Sequence, residues 1–474
     1  MMRHRSLAIW LLAVCLFVCS ACAPQTHGGT ERSLLRAQEA NAAEEAAPET
    51  NEESPVTDET AGKAPVIDEV TGKIRLTLAG IRLSELGWDY LTEQFNAQSE
   101  QYIVELRDYY AGDFDAGNWD KDMISRLQAD IEDAKTRLHT DLIVGNMPDM
   151  LVFDGLSPLI YLGKGMLLDL DPYVAADADV SSEDFLCWNA LHEYGGLYIM
   201  AKQFIVKTLA CSQDFYAAHK GWTIADYLEI ERSLRDNQQM IYAMSHEEFL
   251  TQMSGQYLAK ALDMKNAACD FDNPEFVSIL NGALSCGQYE SPDYAGTPVP
   301  QRLEAGELMC CLTGLDHPSD VTFDRVRGGR QLSYIGWPTV DGSLGANAAL
   351  YGDIGAFSST ACPEGCWEFI KFAVTREAVS TYEYYGSPVY APLMREQVAK
   401  RNEDGGKYTT ATEEDVAAYI AAAEACPAMA YRDESVMDII ERECAPMFAG
   451  DVTPEEAARN IQSRVSLYMV EQYS

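Results

Sequence analysis

The stretch from Leu142 to Val174, LIVGNMPDMLVFDGLSPLIYLGKGMLLDLDPYV, constrains the fold more than any other part of the chain. Gly145-Asn146-Met147-Pro148 is turn chemistry: glycine accepts positive φ, while proline fixes its own φ and pushes Met147 out of the helical region. The turn feeds Asp149 to Phe153, a short apolar run of the kind that forms a strand buried on both faces of a parallel sheet. Asp154-Gly155 stops the strand, and Ser157-Pro158 can cap the next helix with proline at its first position. A carboxylate and an aromatic ring therefore sit just past the carboxyl end of a parallel strand, where α/β sheets bind ligands.

The segments around this stretch repeat the pattern. Ile74 to Ala79 alternates and predicts a strand ending at Gly80; Leu86 or Trp88, Leu91 and Phe95 follow at helical spacing, and Tyr102 to Leu106 predicts a second strand. Met123, Leu127, Ile131, Ala134 and Leu138 mark a long amphipathic helix leading into the turn. Strand and helix thus alternate as βαβαβ, the order of a doubly wound parallel lobe. Gly195 to Leu209 reads as one long strand, in which Lys202-Gln203 are polar residues that need partners. Asn273-Pro274 and Thr453-Pro454-Glu455-Glu456 each open a helix by the cap-then-proline rule, and Pro363 to Val374 carries Trp367, Ile370 and Val374 on one face.

The amino terminus is of another kind. Arg3, His4 and Arg5 precede an apolar run, Leu7 to Val18, too short to span a membrane. Cys19-Ser20-Ala21-Cys22 then resembles a lipobox, which implies cleavage before Cys22 and a diacylglycerol on its sulfur. Ala23 to about Gly72, rich in Ala, Glu, Thr and Pro, buries too little apolar surface to order itself and predicts a solvated tether. About 400 residues remain, enough for two lobes with full cores. The net charge of −39 leaves no basic stripe for phosphates, which excludes nucleic acid, and it disfavours adhesion to anionic lipid.

Catalytic and metal signatures are missing. His246-Glu247-Glu248 lacks a second metal-binding histidine, Gly155-Leu156-Ser157 lacks the elbow glycine, and no glycine-rich loop ends in Lys-Ser or Lys-Thr. Asp113 to Asn118 hints at a calcium loop, but Gly117-Asn118 reverse the needed order and Ile124 stands where a bidentate Glu belongs, so it reads as polar surface. Ten cysteines follow Cys22; buried free thiols and disulfides both fit, and spacing assigns no partners. Trp88, Trp222, Trp337, Tyr351 and Tyr385 lie near strand ends, where a ring either packs in the core or stacks on a sugar face.

Several ordered motifs resemble the extracellular carbohydrate-binding proteins of bacterial ABC transporters. They are the Gly145 to Asp149 turn, the exit Gly165-Met166-Leu167-Leu168-Asp169-Leu170-Asp171-Pro172, Glu304 to Leu312, Ile335 to Ser343, and Gly386-Ser387-Pro388-Val389-Tyr390. The resemblance runs from about Lys73 to the end and is weakest in its middle third. It implies an α/β, two-lobed periplasmic-binding-protein-like (type II) fold, each lobe a doubly wound sheet, joined by hinge crossings. The lobes would take 73–200 with 357–392, and 203–355 with 394–474. It further implies a monomeric receptor, not an enzyme, without cofactor or metal. Such a receptor is lipid-anchored on the extracellular or periplasmic side and passes a sugar or oligosaccharide to an ABC permease. Phe153, Asp154, Gln203, Asp316, Tyr351, Gly352 and Tyr385 fall at its ligand positions, with Phe153 standing where tryptophan is commoner. A sensor presenting ligand to a membrane kinase and a secreted carbohydrate enzyme are the alternatives.

Overall fold

The computed structural model describes residues 64–112, 121–286, 298–343, 345–376, 386–429 and 433–473. The export segment with Cys22, the tether as far as residue 63, the Asp113 to Asn118 segment and Tyr385 lie outside the described residues. In chain order the first strands are β1 (Val66–Ile67), β2 (Ile74–Gly80), β3 (Tyr102–Asp108), β4 (Met150–Val152) and β5 (Gln203–Cys211). Next come β6 (Gln239–Ile241), β7 (Leu262–Asp263), β8 (Ala268–Cys269), β9 (Leu308–Leu315) and β10 (Ser333–Tyr334). The last are β11 (Asn347–Tyr351), β12 (Ile354–Ala356), β13 (Ser387–Pro388) and β14 (Ala428–Met429).

β2 organises the first sheet. It runs parallel to β3 along Ile74–Gly80 and parallel to β4 at Leu78 and Ala79, and β12 closes on β4 antiparallel. The sheet is α/β and mixed, not purely parallel, because β12 re-enters it from the second sheet in the reverse direction and β1 pairs antiparallel with β2; the last residues of the expected tether, Val66 to Asp68, thus join the fold through that pairing and the Asp68–Arg75 ion pair. Between β2 and β3 lies the helix Trp88–Gln98, whose Trp88, Leu91 and Phe95 are buried at spacings of three and four. The helix Lys121–Ile143 buries Met123, Ala134 and Leu138 in the same way. After β4 the helix is short, Leu159–Gly163, and begins one residue past Pro158; the Ser157 hydroxyl accepts from Leu159 N–H at 3.4 Å.

β5 organises the second sheet, also mixed. It pairs antiparallel with β11 and β9, then with β10 and β13, while β6 and β14 run parallel to β9 and β11 at the edges. Side chains alternate across β5. Phe204 and Val206 join a core that includes Val321, Val398, Val416 and Tyr419 and is continuous with that of the first sheet. Leu209 and Cys211 face a second core built from Phe249, Phe276, Ile440 and Ile461 on the opposite helices. The strand starts later than Gly195 to Leu209 predicts. Upstream of Gln203 the pairing is only an isolated bridge, Met200 to Ile354, because Gly195 (φ 81) turns the chain and the Leu170 N–H donating to Leu197 O holds that segment against the loop after β4.

Candidate binding site at the crossings

Three passages of chain meet where the two sheets connect: the entry to β5, the Tyr351–Ile354 return, and β13. Phe153 N–H donates to Asp353 O at 2.8 Å, and the next residue, Asp154, accepts from Gly352 N–H on Oδ1 at 3.2 Å. Lys202 N–H donates to Tyr351 O at 3.2 Å, Val389 N–H donates to Lys202 O at 3.1 Å, and Gln203 Nε2 donates to Gly386 O at 3.4 Å. Gly352 is required twice over. Its φ is +61°, and a Cβ there would lie 2.9 Å from Lys202 Cδ. Lys202 is buried, with Nζ 5.4 Å from the centre of the Trp88 ring. Burial pushes the half-buried Asp154 carboxyl up, against the Gly352 hydrogen bond and the charges of Lys202 and Arg82.

A second wall follows from strand alternation. Gln203, Lys207, Leu209 and Cys211 share one face of β5, and their partners Tyr351 and Gly314 lie on that face too. Far from the crossings the face is sealed, with Leu209, Cys211 and Cys310 fully buried. Toward the crossings it opens: Lys207 and Tyr351 are half-buried, and Gly314 and Asp316 are exposed. A side chain at Gly314 would crowd Lys207, since its Cβ would lie 3.3 Å from Nζ. Burial pulls the Lys207 ammonium down while Asp316 raises it; burial raises the Asp316 carboxyl against Lys207 and Arg401. Asp316 keeps a solvent-exposed edge, which weakens that push.

The structure brings Asp154, Gln203, Tyr351 and Gly352 together at the crossings, with Asp316 on the adjoining wall. The Phe153 ring is only 1% exposed and packs 5.7 Å from Tyr161, so it lies in the core beside these residues and not among them. Asp154 is held by the return crossing, and the Ser157 hydroxyl takes the Leu159 N–H. Trp88, Trp222 and Trp337 are core residues.

Sequence reasoning missed Lys207 and His317. Lys207 was legible as an isolated cation in an apolar strand. His317 is buried, and burial and Arg401 pull its pKa down to about 3, so the ring is neutral at physiological pH. Nδ1 accepts from Ser319 N–H at 3.2 Å, which places the ring proton on Nε2, and that donor has no partner among the described residues.

No family model and no curated protein matches the sequence. Solved structures match across most of the chain, and they are carbohydrate-binding and other ABC solute-binding proteins. The sugar-binding protein MalE from Xanthomonas citri is 15% identical, over 84% of this chain and 98% of its own, with a TM-score of 0.49. The family 1 extracellular solute-binding protein of Alicyclobacillus acidocaldarius is 13% identical over 84% and 98%, with a TM-score of 0.48. An ABC substrate-binding protein from Listeria monocytogenes in complex with cycloalternan is 17% identical over 84% and 99%, with a TM-score of 0.40.

Proposed function

We propose that the chain is a solute-binding receptor that captures a sugar or oligosaccharide between two lobes and hands it to an ABC permease. The lobes are 73–200 with 357–392 and 203–355 with 394–474, with β13 (Ser387–Pro388) reaching across to pair with β5 in the second sheet. One observation supports the reading: a single face of the β5 sheet passes from a sealed apolar core to a less buried polar set, the half-buried Lys207 and Tyr351 and the exposed Asp316, beside the buried Gln203 at the chain crossings. A sugar hydroxyl is both donor and acceptor, so an amide, an ammonium and a carboxylate together complement it. Ligand bridging the walls would draw the lobes together by shifting an open–closed equilibrium, and the closed form is what a permease would recognise. Cys22, once acylated, would hold the receptor at the outer membrane surface.

The test is a thermal-shift screen of the protein against an oligosaccharide panel, followed by calorimetry on variants. A hydrogen bond to a charged group contributes roughly 1.5–3 kcal/mol. Asp154→Ala and Asp316→Ala should therefore each weaken binding by about one to two decades. No shift with any sugar, or unchanged affinity in both variants, would refute the reading.

A further inference from the structure

Cys211 and Cys310 are register partners on β5 and β9, and both are fully buried. In antiparallel strands a residue turns its N–H and C=O to one side, and the side alternates along the strand. Leu209 O accepts from Ile335 N–H at 2.9 Å, beside β10. Cys211, two residues on, therefore also points its backbone groups toward β10 and away from β9. Cys310 O accepts from Tyr242 N–H at 3.1 Å, beyond the end of β6, so Cys310 points away from β5 as well. The two form a non-hydrogen-bonded pair, the closer kind, with Cα atoms about 4.5 Å apart. That falls within the span of about 4.4–6.8 Å that a disulfide bridges. Both side chains enter the same core, whereas Cys311, opposite Ala210, turns to the other face.

We infer that Cys211 and Cys310 become a disulfide as the chain folds in an oxidising compartment. The thiolate of one attacks a disulfide oxidant such as glutathione disulfide and releases one thiol. The second cysteine, losing its proton, displaces the other thiol and closes the Sγ–Sγ bond, so two electrons and two protons leave the protein and reduce the oxidant. Once the sheet is complete, burial holds the Cys310 thiol well above its usual range, so the exchange belongs to folding and not to the finished protein. The bond pins the β5–β9 register. Lys207 and Gly314 are paired four residues further along these strands, and a slip of one residue would turn Lys207 to the opposite face.

The proposal rests on register and not on the ligand, so the two fail separately. The full chain, reduced and unfolded in guanidinium, is refolded in buffers of reduced and oxidised glutathione, alkylated, digested and mapped by mass spectrometry without reduction. The expected product joins the Cys211 and Cys310 peptides, lighter by two hydrogens than their sum, and it persists in Cys311→Ala. Adding reductant before a melt should lower the melting temperature of the native chain by several degrees and leave Cys211→Ala unmoved. Alkylation of both cysteines at every glutathione ratio, or linkage of Cys211 to Cys311, overturns the inference.

Discussion

Replacing Gly352 with alanine measures how tightly the return crossing is built. At φ +61° a side chain costs about 1–2 kcal/mol in backbone strain. The new Cβ would also lie 2.9 Å from Lys202 Cδ and 3.1 Å from its Cβ and Cγ. Lys202 cannot easily retreat, since its side chain is buried and its N–H is bound to Tyr351 O. Overpacking of this kind adds about 1–3 kcal/mol, for a total of about 2–5. With an unfolding entropy near 2.1 cal/mol/K per residue over roughly 400 residues, the melting temperature should fall by about 2–6 °C. Gly155 supplies the control: its φ is +74° and nothing lies within 4 Å of an added Cβ, so Gly155→Ala carries strain alone. That change should cost about 1–2 °C. Combining Gly352→Ala with Lys202→Ala should recover the packing part as a coupling of about 1–3 kcal/mol. Melts followed by circular dichroism read the wild type, the single variants Gly352→Ala, Lys202→Ala and Gly155→Ala, and the double variant. Equal losses for Gly352→Ala and Gly155→Ala, with no coupling, would show that Lys202 does not press on the crossing.

Stability should also depend on Glu193, whose Oε2 accepts from Met429 N–H at 2.8 Å. Burial pushes this carboxyl from 4.5 up to about 7, the hydrogen bond only partly opposing it. The folded chain thus holds a proton that the unfolded chain releases near 4.5, and stability falls as pH rises between those values. The loss is at most about 3 kcal/mol, at 1.36 per pH unit. Glu193→Gln should raise the melting temperature at pH 8 and change little at pH 4.5, so an offset equal at both pH values would refute the assignment. Cys22→Ser should move the protein from the membrane fraction to the medium. Among the described residues no helix is long and apolar enough to cross a membrane, so a variant that still pellets would place the anchor elsewhere.

Elements whose cause is local were legible in the sequence. β2, β3 and the helix Pro363–Val374 stand at or within two residues of their expected places, and Thr453 and Glu456 close their capping box as their spacing predicts. What failed had a distant cause. The long apolar run from Gly195 has strand composition throughout, yet only Gln203 onward finds partners, because pairing depends on where β11 and β13 arrive. The same limit hid the Cys211–Cys310 pairing: the register that joins them spans almost a hundred residues of chain.

The site shows how one signal can answer two questions in opposite ways. Met150 to Phe153 is apolar at every position, which identifies a strand covered on both faces, and β4 is such a strand. What covers Val152 covers Phe153 as well. If the run is apolar because both faces are covered, its last ring is covered too, and it cannot also be held open for a ligand. Asp154 is the first residue that the argument releases, and its carboxylate turns to the return crossing, accepting from Gly352 N–H. Lys207 follows the same logic from the other side. A cation between Val206 and Thr208, on a strand otherwise buried on both faces, stands where that face becomes less buried, beside the exposed Asp316. The polar residue inside an apolar run is therefore a better guide to where the face opens than the aromatic residue at its end.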